Sequence, residues 1–211
     1  NTGLNNCTGN CSGWTSGGII GNGLKFDGVN DYVDAGNGAS LNITGAITVS
    51  AWVKPIISAT VNMRILYHTI DANTSHQLTL IFNTGRISTV FKVGGTTYQS
   101  GNSFALTNNT WQHIIVVFDG VGNTKIYVNN VNRSGGSGAG LTESGSNNLI
   151  IGGRSSDGRF NGSIDEFRIY NRALSVEEIA ILYNTSLKST GNIIFSNNTA
   201  SSGYIHSNVS G

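Results

Sequence analysis

Residues 160–179, with the sequence FNGSIDEFRIYNRALSVEEI, read as a β-strand followed closely by a short helix. The part from 162 to 170 is short and rich in Ile, Phe and Tyr, which is typical of strands. Ser175 precedes Glu178 by three residues, the spacing of a capping box at a helix N-terminus. Apolar residues then recur up to Tyr183, so we predict a short helix near residues 175–183. A helix of about two turns is stable only when it packs on a larger element.

Strand-like runs fill the chain before this stretch, with Gly, Asn and Asp turn signals between them. They are residues 23–26, 32–34, 46–53, 64–68, 76–83, 87–93, 96–100, 111–119, 124–128, 131–134 and 148–152. The run 114–118 is apolar on both faces, which predicts a central strand. Asn129 and Asn130 fit a two-residue hairpin turn, because Asn tolerates positive φ. The pattern predicts an all-β fold with one helix.

The domain division follows from the same pattern. We predict one domain over residues 1–184, in which residues 1–18 form an N-terminal loop or edge segment. Residues 185–211 are polar, and we expect them to add edge strands or to begin a following module. The chain starts at Asn1 and shows no signal peptide, so we expect a mature or excised segment. We also expect it to be part of a larger multi-domain protein.

The charge balance excludes two classes of partner. Lys and Arg number 12 and Asp and Glu number 11, with neither sign clustered. A nucleic-acid surface needs a basic stripe, and an anionic membrane attracts a polybasic segment. No stretch approaches the roughly 18 apolar residues of a membrane span, so we expect no membrane insertion. Charged residues make up only 11% of the chain, and a surface of Asn, Ser, Thr and Gly is common in exported proteins.

The two cysteines also favour export. Cys7 and Cys11 lie in the segment NNCTGNCSG, and no His is close enough to complete a zinc site. We predict a small-loop disulfide in an oxidising compartment, with metal or redox chemistry as the alternative. Ten Asn-x-Ser/Thr sequons are consistent with the same location. The expected localisation is extracellular or at a cell surface.

Five segments occur in an order that resembles a known family. They are GNGLKFDGVNDYVDAG (21–36), ITVSAWVKP (47–55), WQHIIVVFDG (111–120), KIYVNNV (125–131) and FNGSIDEFRIYNRALSVEEI (160–179). Together they resemble the laminin-G-like, pentraxin-like jelly-roll domains of the concanavalin A-like lectin/glucanase superfamily, over residues 14–184. The resemblance implies a two-sheet antiparallel jelly-roll β-sandwich with a concave face. It also implies surface adhesion, or attachment to glycoside hydrolases, and binding of calcium and of sugars or glycoproteins.

Hydrolases of this superfamily need two carboxylates that point into one cleft. The best acidic pair here is Asp165 and Glu166, and neighbouring residues on a regular strand point to opposite faces. This argument assumes that no β-bulge lies at Asp165. None of the four histidines has the context of a catalytic triad. We therefore predict no catalytic residues and no enzymatic activity.

A calcium site is one expectation that combines the residues with the resemblance. The loop at Asp27, Gly28, Asn30 and Asp31 carries the hard oxygen ligands that Ca²⁺ prefers. Alternation on 164–170 places Asp165 on the face of Phe167 and Ile169, where a carboxylate needs a partner. The resemblance places this strand near the loop, at a rim of the sandwich. The alternative is that Asp27 and Asp31 form turns while Asp165 accepts backbone N–H bonds.

Sugars stack their C–H faces on aromatic rings and bond their hydroxyls to polar groups. The candidate ligand-binding residues are Trp14, Tyr67, His68, His76, Tyr98 and Arg154. Trp52 is out of phase with the apolar face of its strand and matches a Trp of the family, which favours packing over ligand contact. The leading prediction is a non-catalytic, lectin-like module that binds carbohydrate or glycoprotein. The alternatives are a structural spacer domain with no small ligand, and a degenerate glycoside-hydrolase-like domain.

Overall fold

Two antiparallel sheets, with one helix on an outer face, make up the computed structural model. It describes residues 13–57, 62–71, 74–80, 85–102, 104–136, 148–153 and 158–188. The elements are β1 (Trp14–Ser16), β2 (Asn22–Asp27), β3 (Val33–Asp34), β4 (Ile47–Pro55), β5 (Met63–Asp71), β6 (Thr74–Leu80), β7 (Ile87–Val93), β8 (Thr96–Asn102), β9 (Gln112–Phe118), β10 (Thr124–Val128), β11 (Val131–Asn132), β12 (Ser134–Gly136), β13 (Ile150–Ile151), β14 (Asn161–Tyr170) and α1 (Val176–Lys188). A 3₁₀ turn covers Ala39–Leu41.

The strand order defines two layers. Sheet one has the order β1-β2-β14-β4-β9-β10-β11, and sheet two has the order β12-β8-β7-β6-β5-β13-β3. The predicted all-β jelly-roll sandwich with one helix is confirmed. Residues 14–16 form the edge strand of sheet one, where Trp14 pairs with Leu24. The predicted hairpin is also present, because Asn129 and Asn130 have φ values of 50° and 63° between β10 and β11.

The apolar faces of the two sheets meet in a closed layer, which we call the inter-sheet core. Its fully buried members include Phe26, Val49, Ile65, Phe91, Ile114, Phe118, Phe160 and Ile164. Phe91 of sheet two stacks on Phe118 of sheet one with ring centroids 4.8 Å apart. These contacts explain why β9 has every residue buried, since it is central and covered on both faces.

The helix α1 covers the outer face of sheet one. Ile179 and the preceding Leu174 pack on Ile115, Val117 and Tyr127, and we call this cluster the helix seam. The capping box is formed as predicted: the Glu178 N–H bonds to Ser175 Oγ at 3.3 Å, and the Ser175 N–H bonds to the Glu178 carboxylate at 2.9 Å.

The helix is longer than the predicted two turns. It runs for 13 residues, to Lys188, and so passes residue 184, where we had placed the end of the domain. The sequence Asn184-Thr-Ser favours a helix end, but both hydroxyls bond back to the helix. Thr185 Oγ1 donates to the Ile181 carbonyl at 2.9 Å, and Ser186 Oγ donates to the Leu182 carbonyl at 2.9 Å. Ser186 is also buried, so tertiary packing extends the element beyond its propensity.

A β-bulge interrupts β14 and corrects one expectation. Asp165 pairs with Trp52 and Arg168 pairs with Ser50, so the three-residue step on β14 faces a two-residue step on β4. Glu166 takes a φ of 49° within the bulge. Asp165 therefore faces outward with Trp52, and the extra residue separates it from the core-packed Phe167. The sequence-based placement of Asp165 on the face of Phe167 was wrong because it assumed regular alternation.

Candidate functional site

The two histidines that we predicted to bind sugar lie inside the protein. Along paired positions of sheet two, His68, His76, Phe91 and Tyr98 form one row on the core side. The His76 ring lies 5.9 Å from the His68 ring and 5.8 Å from the Phe91 ring. Burial, followed by the charge of His68, lowers the pKa of His76 to about 3. His68 and His76 are each 1% exposed, so they pack the sandwich and present no surface to a glycan.

Two of the remaining predicted ligand residues are also engaged in packing. Tyr67 is fully buried, and its hydroxyl accepts a bond from Thr69 Oγ1 at 3.1 Å. Tyr98 is tilted against Phe118, with ring centroids 5.4 Å apart. Trp14 differs, because it is 59% exposed on the edge strand. Arg154 lies outside the described residues, as do Cys7 and Cys11.

The predicted calcium loop is held together by its own hydrogen bonds. Asp27 Oδ1 accepts bonds from the backbone N–H groups of Val29 at 2.7 Å and Asn30 at 3.2 Å. Asp31 Oδ2 accepts a bond from the Asp27 N–H at 2.9 Å, and Asp31 is buried. These contacts are those of the alternative interpretation, in which the acidic residues form a turn.

Asp165 is not brought together with this loop. Asp27 pairs with Asn161, and Asp165 lies four residues further along β14, which is about 13 Å at the rise of a strand. Its Oδ2 accepts bonds from the N–H groups of Ile19 at 2.7 Å and Ile20 at 3.0 Å. Its Oδ1 accepts the Glu166 N–H at 2.8 Å.

The five proposed ligands therefore do not converge on one point. Within the described ranges, no group of three or more His, Cys, Asp or Glu side chains is arranged to hold a metal ion. Calcium binding stays a prediction, and its ligands are reduced to Asp27, Gly28, Asn30 and Asp31.

The adjacent carboxylates of β14, Asp165 and Glu166, form hydrogen bonds and an ion pair within the protein. Asp165 fixes the loop at Ile19 and Ile20, as described above. Glu166 forms an ion pair with Arg168, which lies two residues away across the bulge. Both carboxylates therefore hold the local structure together.

A stack of three rings lies on the outer face of sheet one. Trp52, His113 and Tyr183 of α1 pack against one another, with ring centroids 5.0 Å apart for Trp52 and His113, 5.7 Å for Trp52 and Tyr183, and 5.9 Å for His113 and Tyr183. His113 Nε2 and Ser50 Oγ are 2.9 Å apart, and both residues are sealed from solvent. Burial, followed by the charge of Arg168, lowers the pKa of His113 to about 4. This serine–histidine pair has no access for a substrate, and the stack anchors the C-terminal half of α1.

Sequence reasoning missed a cleft at the other end of the helix. It has a volume of about 560 Å³ and opens between the start of α1 and the hairpin of β9 and β10. We call it the helix cleft, and its defining residues are Val117, Asp119, Lys125, Tyr127, Leu174 and Glu177. Lys125 and Tyr127 alternate onto one face of β10, which is the local signal for a shared surface. The contribution of α1 depends on how the helix docks.

Comparison with known proteins agrees with this architecture. A family model described as the concanavalin A-like lectin/glucanases superfamily, of laminin-G type, matches residues 27–180. No match was found among curated proteins. Within the described part of the chain, no helix is long and apolar enough to span a membrane.

Solved structures share the fold at low sequence identity. Domain 4 of AbnA, a GH43 extracellular arabinanase from Geobacillus stearothermophilus solved with arabinotriose, is 24% identical, with a TM-score of 0.62 and coverage of 81% of this chain and 80% of that one. The receptor binding domain of botulinum neurotoxin C/D mosaic serotype is 21% identical, with a TM-score of 0.59 and coverage of 82% and 44%. A heptameric SAP-like pentraxin from Limulus polyphemus is 14% identical, with a TM-score of 0.53 and coverage of 80% and 84%. The chain belongs to the laminin-G-type family of the concanavalin A-like lectin/glucanase superfamily.

Proposed function

We propose that this domain is a non-catalytic carbohydrate-binding module of an extracellular or cell-surface protein. The observation that carries the proposal is the superfamily match over residues 27–180, combined with an acidic pair on β14 that is occupied by structural bonds. A structural neighbour, the arabinanase domain, was solved with arabinotriose, which supports sugar as the ligand class. The neighbouring toxin and arabinanase domains are parts of larger proteins, and we propose the same setting here.

The non-catalytic part of the proposal rests on chemistry. A glycosidase needs one carboxyl group as a general acid and a second as nucleophile or base. Asp165 has both oxygens bonded to backbone N–H groups, and its fixed position serves the loop before β2. Hydrolysis of a glycan that the domain binds would contradict the proposal.

A glycan array tests the binding function directly. The purified chain is applied once with calcium and once with EDTA, and the same glycans are then incubated with the protein to measure hydrolysis. We expect binding without release of reducing sugar. The absence of binding in both conditions would remove the carbohydrate proposal.

The second candidate function is a structural spacer or protein-adhesion domain that binds no small ligand. It is favoured by the burial of Tyr67, His68 and His76, three of the residues predicted to bind sugar. Two results together would support this function over the first: no binding to any glycan on the array, and equal binding to a glycoprotein before and after its glycans are removed.

Calcium binding at the Asp27–Asp31 loop has its own test. If the loop holds the ion, calcium should raise the melting temperature of metal-free protein, and EDTA should reverse the rise. Asp27→Asn should abolish the shift. The matched control is Asp34→Asn, which changes a carboxylate that accepts the Gly36 N–H at 2.8 Å in another turn. An unchanged melting temperature in wild-type protein would contradict calcium binding.

A further inference from the structure

We propose that the helix cleft binds a sugar that carries no anionic group, either a neutral sugar or an amino sugar. The inference rests on the proposed carbohydrate-binding function and assigns it a place on the molecule. The cleft lies on the helix-bearing outer face of sheet one, away from the Asp27–Asp31 loop and from the predicted residues of sheet two.

The size and composition of the cleft are those of a small-molecule site that is large enough for a sugar. Its volume of about 560 Å³ falls within the roughly 300–1,000 Å³ of small-molecule sites. Val117 and Leu174 are buried and give it an apolar floor, whereas Val176 is 55% exposed at the mouth. An apolar floor with a few convergent polar groups is the usual composition of such sites, and it matches a sugar's C–H face and hydroxyls.

The hydroxyl of Tyr127 is the observation that points to a ligand. Tyr127 is only 5% exposed and lines the cleft. Its hydroxyl makes no hydrogen bond to the described residues, and it is not among the polar atoms sealed from solvent, so it can bond to a ligand. A phenol hydroxyl both donates and accepts a hydrogen bond. A sugar hydroxyl in the cleft could therefore take the place of water at Tyr127.

Asp119 offers a second, preorganised group. Its Oδ1 accepts three backbone N–H bonds, from Val121, Gly122 and Asn123, at 2.9–3.0 Å. Its Oδ2 accepts the Asn123 side-chain amide at 2.5 Å. The bond from Asn123 and those of the backbone lower the pKa of Asp119 to about 2. A carboxylate held in this way is a fixed acceptor for a hydroxyl or ammonium group.

The charges in the cleft decide the class of sugar. Asp119 and Glu177 each carry a negative charge, against the single positive charge of Lys125. The excess of negative charge disfavours uronic-acid and sulfated sugars by like-charge repulsion. Neutral sugars avoid that repulsion, and the amino group of an amino sugar is attracted to the two carboxylates.

The test compares Tyr127→Phe with Tyr170→Phe on a glycan array of neutral, amino, uronic and sulfated oligosaccharides. Both tyrosines pack beneath α1, but Tyr170 does not line the helix cleft, so it is a matched control. We expect Tyr127→Phe to weaken binding about fivefold, the value of one hydrogen bond, and Tyr170→Phe to leave it unchanged. The melting temperature of each variant reports whether the helix seam is intact.

A second readout locates the ligand. The strongest glycan from the array is titrated into ¹⁵N-labelled protein, and amide shifts are expected at residues 117–127 and 173–177. If Tyr127→Phe binds the glycan as tightly as the wild type, and the amide shifts occur at other residues, the helix cleft is not the binding site. The proposed carbohydrate-binding function would then still hold. A preference for uronic or sulfated glycans would overturn the sugar class. A wild-type protein that binds no glycan would overturn the proposed function itself, and the cleft assignment with it.

Discussion

The inter-sheet core and the helix seam are both apolar layers on sheet one, but they are closed in different ways. The core is sealed by a second full sheet, whose Phe91 ring stacks on Phe118. The seam is sealed by one helix, through Ile179 and the stack of Trp52 with Tyr183. Each layer also contains a buried histidine, His76 in the core and His113 at the seam. The difference indicates that the inter-sheet core contributes most to the stability of the fold, whereas the helix seam holds α1 in the position that forms the helix cleft.

Phe118→Ala should have the largest effect, because it opens a cavity where the two sheets meet. We expect the free energy of unfolding to fall by about 3–5 kcal/mol, as is usual for a buried Phe. Chemical denaturation measures the loss. Phe104→Ala is the control, since Phe104 is 36% exposed, and it should cost far less. Equal losses from the two variants would mean that the sheets are not held by this contact.

Ile179→Ala tests the seam in the same way. Ile179 is 1% exposed, and its truncation should lower the free energy of unfolding by about 2 kcal/mol, the low end for a buried aliphatic residue. The low end is expected because a helix packed on one face shifts more easily than a sheet packed inside a sandwich. Ile181→Ala on the same helix is the control, because Ile181 is 59% exposed. A loss from Ile179→Ala as large as that from Phe118→Ala would remove the distinction between the two layers.

The elements that form the inter-sheet core were easier to predict from the sequence than those that form the helix seam. The runs 87–93 and 124–128 match β7 and β10 residue for residue, because period-two patterns and turn residues are local signals. The capping box fixed the start of α1 for the same reason. The end of α1 did not follow, since the burial of Ser186 depends on tertiary contact.

The candidate site was much less predictable. Aromatic and histidine residues on strands carry no signal for which face becomes the interior, so His68 and His76 were placed wrongly. Because of the bulge, Asp165 lies on the opposite face of the sheet from the one that we predicted. The positive φ of Glu166 within the bulge cannot be predicted from its residue type. The helix cleft combines β9, β10 and α1, and only the docked helix places Glu177 at the same cleft as Lys125.

Acid should destabilise the folded protein through His113 at the seam. Its pKa is near 4 in the folded protein and 6.5 as the ordinary value, so the unfolded chain binds more protons between these two pH values. The stability is complete above pH 6.5 and falls as the pH drops toward 4, by about 2 kcal/mol at pH 5 for this histidine alone. His76 has the same sign, with a pKa near 3.

Comparing the wild type with His113→Gln isolates the contribution of the seam. Denaturant unfolding between pH 6.5 and pH 5 should show a shallower slope of stability with pH in the variant. Asp119 and Glu178 contribute little in this window, because their lowered pKa values, each about 2, affect stability only below about pH 5. An identical slope in the two proteins would mean that His113 is not buried in its neutral form.

Ser175→Ala should have the smallest effect and is confined to the seam. The Ser175 hydroxyl accepts the Glu178 N–H, and its loss leaves one donor of the first helical turn without its cap. We expect the free energy of unfolding to fall by about 1 kcal/mol, measured by denaturation, while Ser175→Asp, which can still cap, should retain most of the stability. Because Ser175 also lines the helix cleft, both variants should be compared for glycan binding. A loss of binding in Ser175→Ala that Ser175→Asp restores would tie the cleft to the docked start of α1, whereas unchanged binding with a destabilised helix would separate the cleft from the seam.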